Sequence, residues 1–201
     1  MQKAAFLDKD GTLIEDVPYN VDPALIRLLP GVGEALRALH GAGFALVVVT
    51  NQSGVARGLF PGSALGGVEA RLRALLGAEG VPLSGFYACP HHPEGTVAEY
   101  TRACECRKPQ PGLLRRAAHD LGLDLGASWM VGDILNDVEA GGRAGCRTVL
   151  LDTGGETEWV PGPYRTPDVT ARGWPDVAVA ILTAEGAVQE EEGREDALRT
   201  S

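Results

Sequence analysis

Residues 4–12 read AAFLDKDGT, in which an apolar run leads directly into two aspartates that flank a lysine. An apolar run of this length, followed by a glycine turn, is typical of a short strand that is buried on both faces of a parallel sheet. Ligands of such sheets bind at the carboxyl ends of the strands. The pattern therefore predicts that Asp8 and Asp10 lie in a ligand site at one edge of a parallel sheet.

The rest of the chain alternates apolar runs of strand length with segments of helical periodicity. Further strands are predicted at 44–50, 85–89, 129–133 and 147–152, with an edge strand at 168–170. Helices are predicted at 32–40, 63–78, 111–121, 136–144 and 174–184. Because strands alternate with helices, we expect an α/β fold with a mainly parallel sheet, and residues 90–108 fall in a loop.

Composition and charge argue against a nucleic-acid-binding, a membrane or a secreted protein. The 201 residues include 18 basic and 27 acidic side chains, a net charge of −9, which argues against a nucleic-acid partner held by phosphate contacts. No apolar run approaches the ~20 residues of a membrane helix, and the first residues turn acidic too early for a secretory signal. We therefore expect a cytoplasmic protein with no nucleic-acid or membrane partner. Residues 1–184 are predicted to form one domain, and the acidic residues 185–201 a disordered tail.

Lysine is scarce in this chain. Lys3, Lys9 and Lys108 are the only three lysines, whereas arginine occurs fifteen times. Where arginine supplies most of the positive charge, an interior lysine suggests a chemical role, although chance substitution is the simpler explanation.

Chemically capable side chains follow three of the predicted strands. Asp8 and Asp10 follow the first, Thr50 ends the second, Asp133 ends the fourth, and Lys108 precedes the helix that leads into the fourth. Carboxylates from two strand ends can hold Mg²⁺, and a lysine and a hydroxyl can bind phosphoryl oxygens as charge develops. This set fits phosphoryl transfer through an aspartyl-phosphate.

Three of the four cysteines lie close together in the predicted loop. The pattern is Cys89-x-His91 followed by Cys104-x-Cys106, and three sulfurs with one imidazole form a closed structural set for Zn²⁺. The spacing alone leaves His92 as an alternative ligand to His91. It also leaves open that the thiols bind no metal, or that Cys104 and Cys106 form a disulfide.

Five short motifs together resemble those of the haloacid dehalogenase (HAD) superfamily of phosphatases. They are DKDGT at 8–12, TNQSG at 50–54, CPHHP at 89–93, CECRKP at 104–109 and GDILND at 132–137. The combination is most similar to the branch of heptose-bisphosphate and histidinol-phosphate phosphatases. The resemblance implies a three-layer, doubly wound parallel sheet of the HAD-like Rossmannoid type, without a cap domain and with a zinc-stapled loop at 89–108.

The resemblance also implies a role for each strand-end residue. Asp8 would be the nucleophile and a magnesium ligand. Asp10 would be the acid and base, with its carbonyl also on magnesium. Thr50 and Lys108 would bind the transferring phosphoryl group, and Asp133 would complete the magnesium site.

Two further assignments follow from the resemblance. Asp137 would support the site by orienting the catalytic lysine or a metal-bound water. The structural zinc ligands would be Cys89, His91, Cys104 and Cys106, which favours His91 over its neighbour.

The resemblance points to a sugar phosphate as the small-molecule partner. The run NQSGVARG at 51–58 is similar to that of heptose-bisphosphate phosphatases, which makes D-glycero-D-manno-heptose 1,7-bisphosphate the expected substrate. The residues expected to contact it are Asp16, Tyr19, Asn51, Ser53, Arg57 and Arg107. Ile134 departs from the family pattern, which commonly has a lysine there.

The alternatives are a histidinol-phosphate or broader sugar-phosphate phosphatase, and a non-catalytic module that accepts phosphate without turnover. A monomer is expected.

Overall fold

The computed structural model describes the backbone of residues 1–199 and the side chains of residues 1–186. A six-stranded sheet forms the centre of the chain, in the order β3-β2-β1-β4-β5-β6, and every neighbouring pair is parallel. The strands are β1 (Ala4–Leu7), β2 (Ala45–Asn51), β3 (Gly85–Cys89), β4 (Trp129–Gly132), β5 (Arg147–Leu151) and β6 (Val169–Ala171). The predicted parallel sheet is confirmed, including the edge strand.

Helices cover both faces of the sheet. They are α1 (Val32–Gly41), α2 (Leu65–Ala78), α3 (Gly112–Leu121), α4 (Leu135–Ala144) and α5 (Trp174–Arg199). Alternate residues of β1 enter different cores: Ala5 and Leu7 pack with α1, α2 and α5, whereas Ala4 and Phe6 pack with α3 and α4. The fold is therefore the expected three-layer, doubly wound α/β fold.

Two of the connections between elements contain a short 3-10 helix. A 3-10 helix at Pro23–Leu25 lies between β1 and α1, and another at Gly62–Ala64 leads into α2, where the sequence predicted the helix itself to begin. Within the described residues neither connection holds an inserted cap domain, as expected. No helix in the described part of the chain is both long and apolar enough to cross a membrane.

The last helix, α5, is longer than the sequence pattern predicts. The pattern ends the helix at residue 184, whereas the helix continues to Arg199. The backbone of residues 185–199 belongs to α5, and Glu185 Oε2 lies 2.7 Å from Lys3 Nζ. Side chains from residue 187 onward, and residues 200–201 altogether, lie outside the described residues. The disordered acidic tail therefore stays a prediction.

The topology reverses direction at β1. From β1 the chain continues outward through β2 to β3, and it then crosses to β4 on the other side of β1 and continues outward through β5 to β6. The carboxyl ends of β1, β2 and β4 therefore meet at the switch point where ligands of such sheets bind.

Helix α5 supports the turn that follows β1. The indole Nε1 of Trp174, a residue only 1% exposed, donates a hydrogen bond of 2.8 Å to the buried main-chain oxygen of Thr12. A buried carbonyl that loses its donor costs more than an ordinary hydrogen bond contributes.

We predict that Trp174→Phe lowers the free energy of unfolding by about 1–3 kcal/mol, because the Thr12 carbonyl is left unpaired. Urea denaturation followed by circular dichroism measures this. Trp159→Phe is the matched control, since Trp159 is 52% exposed, and it should change stability by less than about 0.5 kcal/mol. Equal effects of the two substitutions would contradict the prediction.

Candidate active site

A cavity of about 250 Å³ opens at the carboxyl ends of the central strands. Its lining comprises Asp8, Asp10, Asp16, Thr50, Asn51, Lys108, Asp133, Ile134, Asp137 and Gly155. The structure thus brings together all four expected catalytic residues, the three expected magnesium ligands and the supporting Asp137.

Lys108 is the central cation of this cavity. It is 3% exposed, and its Nζ lies 2.6 Å from Asp8 Oδ1, 2.6 Å from Asp137 Oδ1 and 3.0 Å from the carbonyl oxygen of Val49. Burial alone would lower the pKa of Lys108, but the carboxylates of Asp137 and Asp8 outweigh it and raise that pKa. Lys108 is therefore a permanent positive charge beside Asp8, and Asp137 directly contacts the lysine that it was expected to orient.

Asn51 fixes the main chain of the same lysine. Its Nδ2 donates to the carbonyl oxygen of Lys108 at 3.0 Å, and its Oδ1 accepts from the amide of Lys108, also at 3.0 Å. These two hydrogen bonds engage both polar atoms of the Asn51 side chain. Asn51 lines the cavity, but its expected contact with a substrate stays a prediction.

Three carboxylates crowd the floor of the cavity. One oxygen from each of Asp8, Asp133 and Asp137 lies within 4.8 Å of the other two. Burial, followed by the charges of Asp8 and Asp137, raises the pKa of Asp133 to about 7. Among the described residues, its side-chain partner is the Thr12 hydroxyl, which donates a 3.1 Å hydrogen bond to Asp133 Oδ1.

These carboxylates can hold a hard divalent cation. Asp133 lacks a cationic partner among the described residues, and Asp8 shares one lysine with Asp137. Oxygen ligands with surplus negative charge are what Mg²⁺ takes in proteins. Asp10 adds no side-chain oxygen to this group, and the expected role of its main-chain carbonyl as a ligand stays a prediction.

Close backbone approach shapes the carboxylate cluster. Gly11 has φ +75, and a Cβ there would lie 2.3 Å from Asp133 Oδ2. Glycine is therefore required on two grounds at the turn of the DKDGT motif: a left-handed backbone and the space that Asp133 occupies.

Lys9 and Gln52 hold Asp10, and neither received a role from the sequence. Lys9 Nζ forms an ion pair with Asp10 Oδ1, and Gln52 Nε2 donates to Asp10 Oδ2 at 3.0 Å and to Thr50 Oγ1 at 2.9 Å. Burial raises the pKa of Asp10, and the charge of Lys9 opposes the increase. The scarcity of lysine was the one sequence signal for Lys9, and Gln52 lies inside the TNQSG motif.

A second cavity of about 280 Å³ adjoins the first. The two share Asp10, Asp16 and Asn51. The second is lined by Asp10, Asp16, Pro18, Tyr19, Asn20, Asn51, Gln52, Ser53 and Gly54. Asp16, Tyr19 and Ser53 are therefore placed where a substrate contact was expected.

Arg57 and Arg107 line neither of these two cavities. Nη2 of Arg57 lies 3.3 Å from His92 Nε2. Nε of Arg57 and Nη1 of Arg107 are buried, with no hydrogen-bond partner in the described part of the chain. The expected contact of these two arginines with a substrate stays a prediction.

The cysteine loop folds into a compact cluster beside the cavity. Distances between Sγ atoms are 3.1 Å for Cys104–Cys106, 3.1 Å for Cys89–Cys106 and 3.5 Å for Cys89–Cys104. Nδ1 of His91 lies 3.3 Å from the sulfur of Cys106. The cysteines are free thiols, and these four side chains can hold one tetrahedral zinc ion.

His91 and His92 separate clearly in the structure. His91 faces the sulfurs, whereas Nδ1 of His92 accepts a hydrogen bond of 3.1 Å from the main-chain amide of Glu94. The structure therefore places His91, the residue that the resemblance favoured, with the three sulfurs, and zinc ligation itself stays a prediction. The remaining thiol, Cys146, is buried away from the cluster.

Comparison with known proteins is consistent with this site. A family model described as HAD-hydrolase-like matches residues 105–176. The D-glycero-beta-D-manno-heptose-1,7-bisphosphate 7-phosphatase of Yersinia pestis is 46% identical over 152 residues, which cover 75% of this chain and 81% of that protein. This chain belongs to the HAD-like hydrolase family. The phosphatase of the same name from Escherichia coli K12 is 45% identical over 152 residues, or 75% of this chain and 80% of that protein.

Solved structures of HAD-like phosphatases share the fold. A putative HAD-like phosphatase from Mesorhizobium loti has a TM-score of 0.79 and 39% identity, covering 90% of this chain and 87% of that one. The D,D-heptose 1.7-bisphosphate phosphatase of B. bronchiseptica, complexed with magnesium and phosphate, has a TM-score of 0.72 and 30% identity, covering 92% of this chain and 99% of that one.

We predict that Asp133→Asn stabilises the magnesium-free protein at pH 8 by about 1–3 kcal/mol, because it removes one of three crowded negative charges. The pKa of Asp133 is about 7 in the folded protein and 3.8 ordinarily. Ionised Asp133 therefore lowers the free energy of unfolding by its full amount above about pH 7. The gain should shrink as the pH falls from 7 towards 4, where Asp133 takes up a proton.

Urea denaturation at pH 8 and pH 5.5, without added divalent cations, measures this effect. Asp152→Asn is the matched control, since Asp152 follows β5 but is exposed, and it should change stability by less than about 0.5 kcal/mol. Destabilisation of the Asp133 variant at pH 8 would contradict the prediction.

We predict that the purified protein contains about one zinc ion per chain and that Cys104→Ser loses most of it, since a closed site needs its fourth ligand. Metal analysis by mass spectrometry measures the content. Cys146→Ser should retain the zinc, because Cys146 lies outside the cluster. A folded wild-type protein without zinc would refute the assignment.

Proposed function

We propose that this chain is a magnesium-dependent phosphatase that hydrolyses D-glycero-D-manno-heptose 1,7-bisphosphate to the heptose monophosphate through an aspartyl-phosphate on Asp8. The observation that carries the proposal is the contact of 2.6 Å between Asp8 and the buried ammonium of Lys108, beside the unneutralised carboxylate of Asp133. The names of the relatives support the choice of substrate.

The first half-reaction transfers the phosphoryl group to the enzyme. A carboxylate oxygen of Asp8 attacks phosphorus, the bond to the leaving oxygen breaks, and Asp10 gives that oxygen its proton. Lys108 and the hydroxyl of Thr50 bind the other phosphoryl oxygens as their charge changes. Because Lys108 is held against Asp8 before the substrate arrives, its charge needs no rearrangement during the transfer.

The second half-reaction releases phosphate. The carboxylate of Asp10 takes a proton from water, whose oxygen attacks phosphorus and breaks its bond to Asp8. Asp8 is regenerated as a carboxylate and Asp10 as an acid. One residue therefore serves both halves, which its place on the walls of both cavities permits.

Magnesium fits the donor set at the end of β1 and β4. Asp8, Asp133 and the main-chain carbonyl of Asp10 would hold it, and it would neutralise the charge between Asp8 and the phosphate. Asp137 would not ligate the metal, and its contact with Lys108 would keep the lysine directed at Asp8. Zinc, in contrast, would have a structural role: Cys106 lies two residues before Lys108 in the chain, so a metal held by the cluster would fix the position of that lysine.

Substrate contacts extend along the second cavity. Asp16, Tyr19 and Ser53 would contact the sugar there. Arg57 and Arg107 line neither cavity, and their expected contact with the distal phosphate stays a prediction. The expected monomer stays a prediction. None of the four cysteines forms a disulfide in the described residues, and three of them are assigned to zinc, which supports a reducing compartment, the cytoplasm.

A histidinol-phosphate or broader sugar-phosphate phosphatase is the second candidate, and one observation favours it. Ile134 lines the catalytic cavity where the family commonly has a lysine, so the wall beside Asp133 is apolar. A non-catalytic phosphate acceptor fits less well, because it would not need Asp10 beside Asp8.

The test is hydrolysis of a panel of esters: both anomers of heptose 1,7-bisphosphate, histidinol phosphate and simple sugar phosphates. We expect kcat/KM for one heptose anomer to exceed that for histidinol phosphate by at least about tenfold, since two phosphates meet more donors than one. Asp8→Asn should abolish turnover of every ester. A preference for histidinol phosphate would favour the second candidate, and hydrolysis by the Asp8 variant would refute the mechanism.

A further inference from the structure

A buried lysine adjoins the residue proposed as acid and base. Lys9 is 1% exposed, and among the described residues Asp10 is the hydrogen-bond partner of its Nζ. Taking an ammonium out of water costs several kcal/mol, and replacing a buried ion pair with apolar side chains is often neutral or stabilising. Packing alone therefore gives no reason for a lysine at this position.

Gln52, the residue that follows β2, reaches the same carboxyl group. Its Nε2 donates one hydrogen to Asp10 Oδ2 at 3.0 Å and the other to Thr50 Oγ1 at 2.9 Å. This amide orientation follows from charge, since the opposite one would place the amide oxygen against the carboxylate. Gln52 is itself buried, and its main-chain amide donates to the carbonyl oxygen of Cys89 at 2.8 Å.

Two fixed donors thus hold both oxygens of Asp10. Lys9 binds Oδ1 and Gln52 binds Oδ2, so the carboxyl plane cannot rotate without breaking one of the two bonds. Each carboxylate oxygen can accept two hydrogen bonds, so the clamp leaves a position on each oxygen for a proton or a leaving oxygen. Asp10 itself remains accessible, with 32% of its side chain exposed.

We infer that Lys9 and Gln52 are positioning residues of the reaction, which hold the carboxyl group of Asp10 in the orientation that delivers its proton to the leaving oxygen. The inference rests on the proposed function, because it assumes that Asp10 protonates the leaving group. Gln52 also ties this orientation to Thr50, so that the proton donor and the phosphoryl-binding hydroxyl move as one unit.

The dependence of rate on the leaving group tests the inference. An alkoxide leaving from heptose 1,7-bisphosphate needs a proton as the phosphorus–oxygen bond breaks, whereas p-nitrophenolate leaves as a stable anion. The value of kcat/KM reports the steps up to transfer of phosphoryl to Asp8, so later hydrolysis does not enter it. The measured quantity is the ratio of kcat/KM for the heptose ester to kcat/KM for p-nitrophenyl phosphate.

Lys9→Met and Gln52→Met should each lower this ratio by about tenfold or more, since a misplaced acid loses much of its contribution. Lys9→Arg keeps a charged donor and should restore most of the ratio. Lys3→Met is the matched control: Lys3 is partly buried, pairs with Glu185 and precedes β1, at the opposite end of that strand from Asp8, so the ratio should match the wild type. Thermal unfolding checks that each variant is folded.

The outcomes separate the inference from the function on which it rests. Asp10→Asn should lower the ratio by at least as much as the Lys9 and Gln52 variants, and an unchanged ratio in Asp10→Asn would refute the proposed acid. A lowered ratio in Asp10→Asn with wild-type ratios in Lys9→Met and Gln52→Met would overturn the inference alone. If Lys9→Met does not fold, Gln52→Met decides the result.

Discussion

The buried ammonium of Lys108 between two carboxylates organises the site. Asp8 follows β1, Asp137 lies in the first turn of α4, and Lys108 comes from the loop before α3. An ammonium at this depth is tolerated only when its partners are in place, because an unpaired buried charge is strongly destabilising. The charge of Lys108 therefore fixes the positions of the loop before α3, strand β1 and helix α4 relative to one another. As a result, Asp8 already faces a cation when the substrate arrives.

The same region carries more negative charge than its lysine can neutralise. Asp8, Asp133 and Asp137 converge around Lys108, and burial, together with the charges of Asp8 and Asp137, raises the pKa of Asp133. Such crowding opposes folding, and it persists at functional sites where the rest of the structure compensates. The buried sheet supplies that compensation, and Trp174 adds to it by bonding the turn after β1. The surplus negative charge of these carboxylates would serve to bind a divalent cation. This requirement is local to the site and does not depend on the net charge of the whole chain.

The placement of the main groups could be predicted from sequence because apolar runs locate strand ends, and strand ends locate ligands in a parallel sheet. Asp8, Thr50 and Asp133 are of this kind. Contacts made by side-chain direction could not be predicted, since spacing does not record where a side chain points. Lys9 folds back onto its own neighbour, and Gln52, which follows the adjacent strand, bonds across to Asp10. His91 and His92 are adjacent in sequence, and only the fold of the loop separates the thiol-facing ring from the other.

The cysteine cluster and Asn51 act on the same lysine from two directions. Cys89 and Asn51 are directly paired neighbours in β3 and β2, and Asn51 binds both main-chain groups of Lys108. Cys106 lies two residues before that lysine and contacts Cys89 across the cluster. A polar loop of this length has little apolar surface to order it, and closing it by chance carries an entropic cost. A metal bound at the cluster would offset this entropic cost, and the cluster lies outside the cavity. The metal would therefore contribute to the chemistry by fixing the position of Lys108 and not by contacting the substrate.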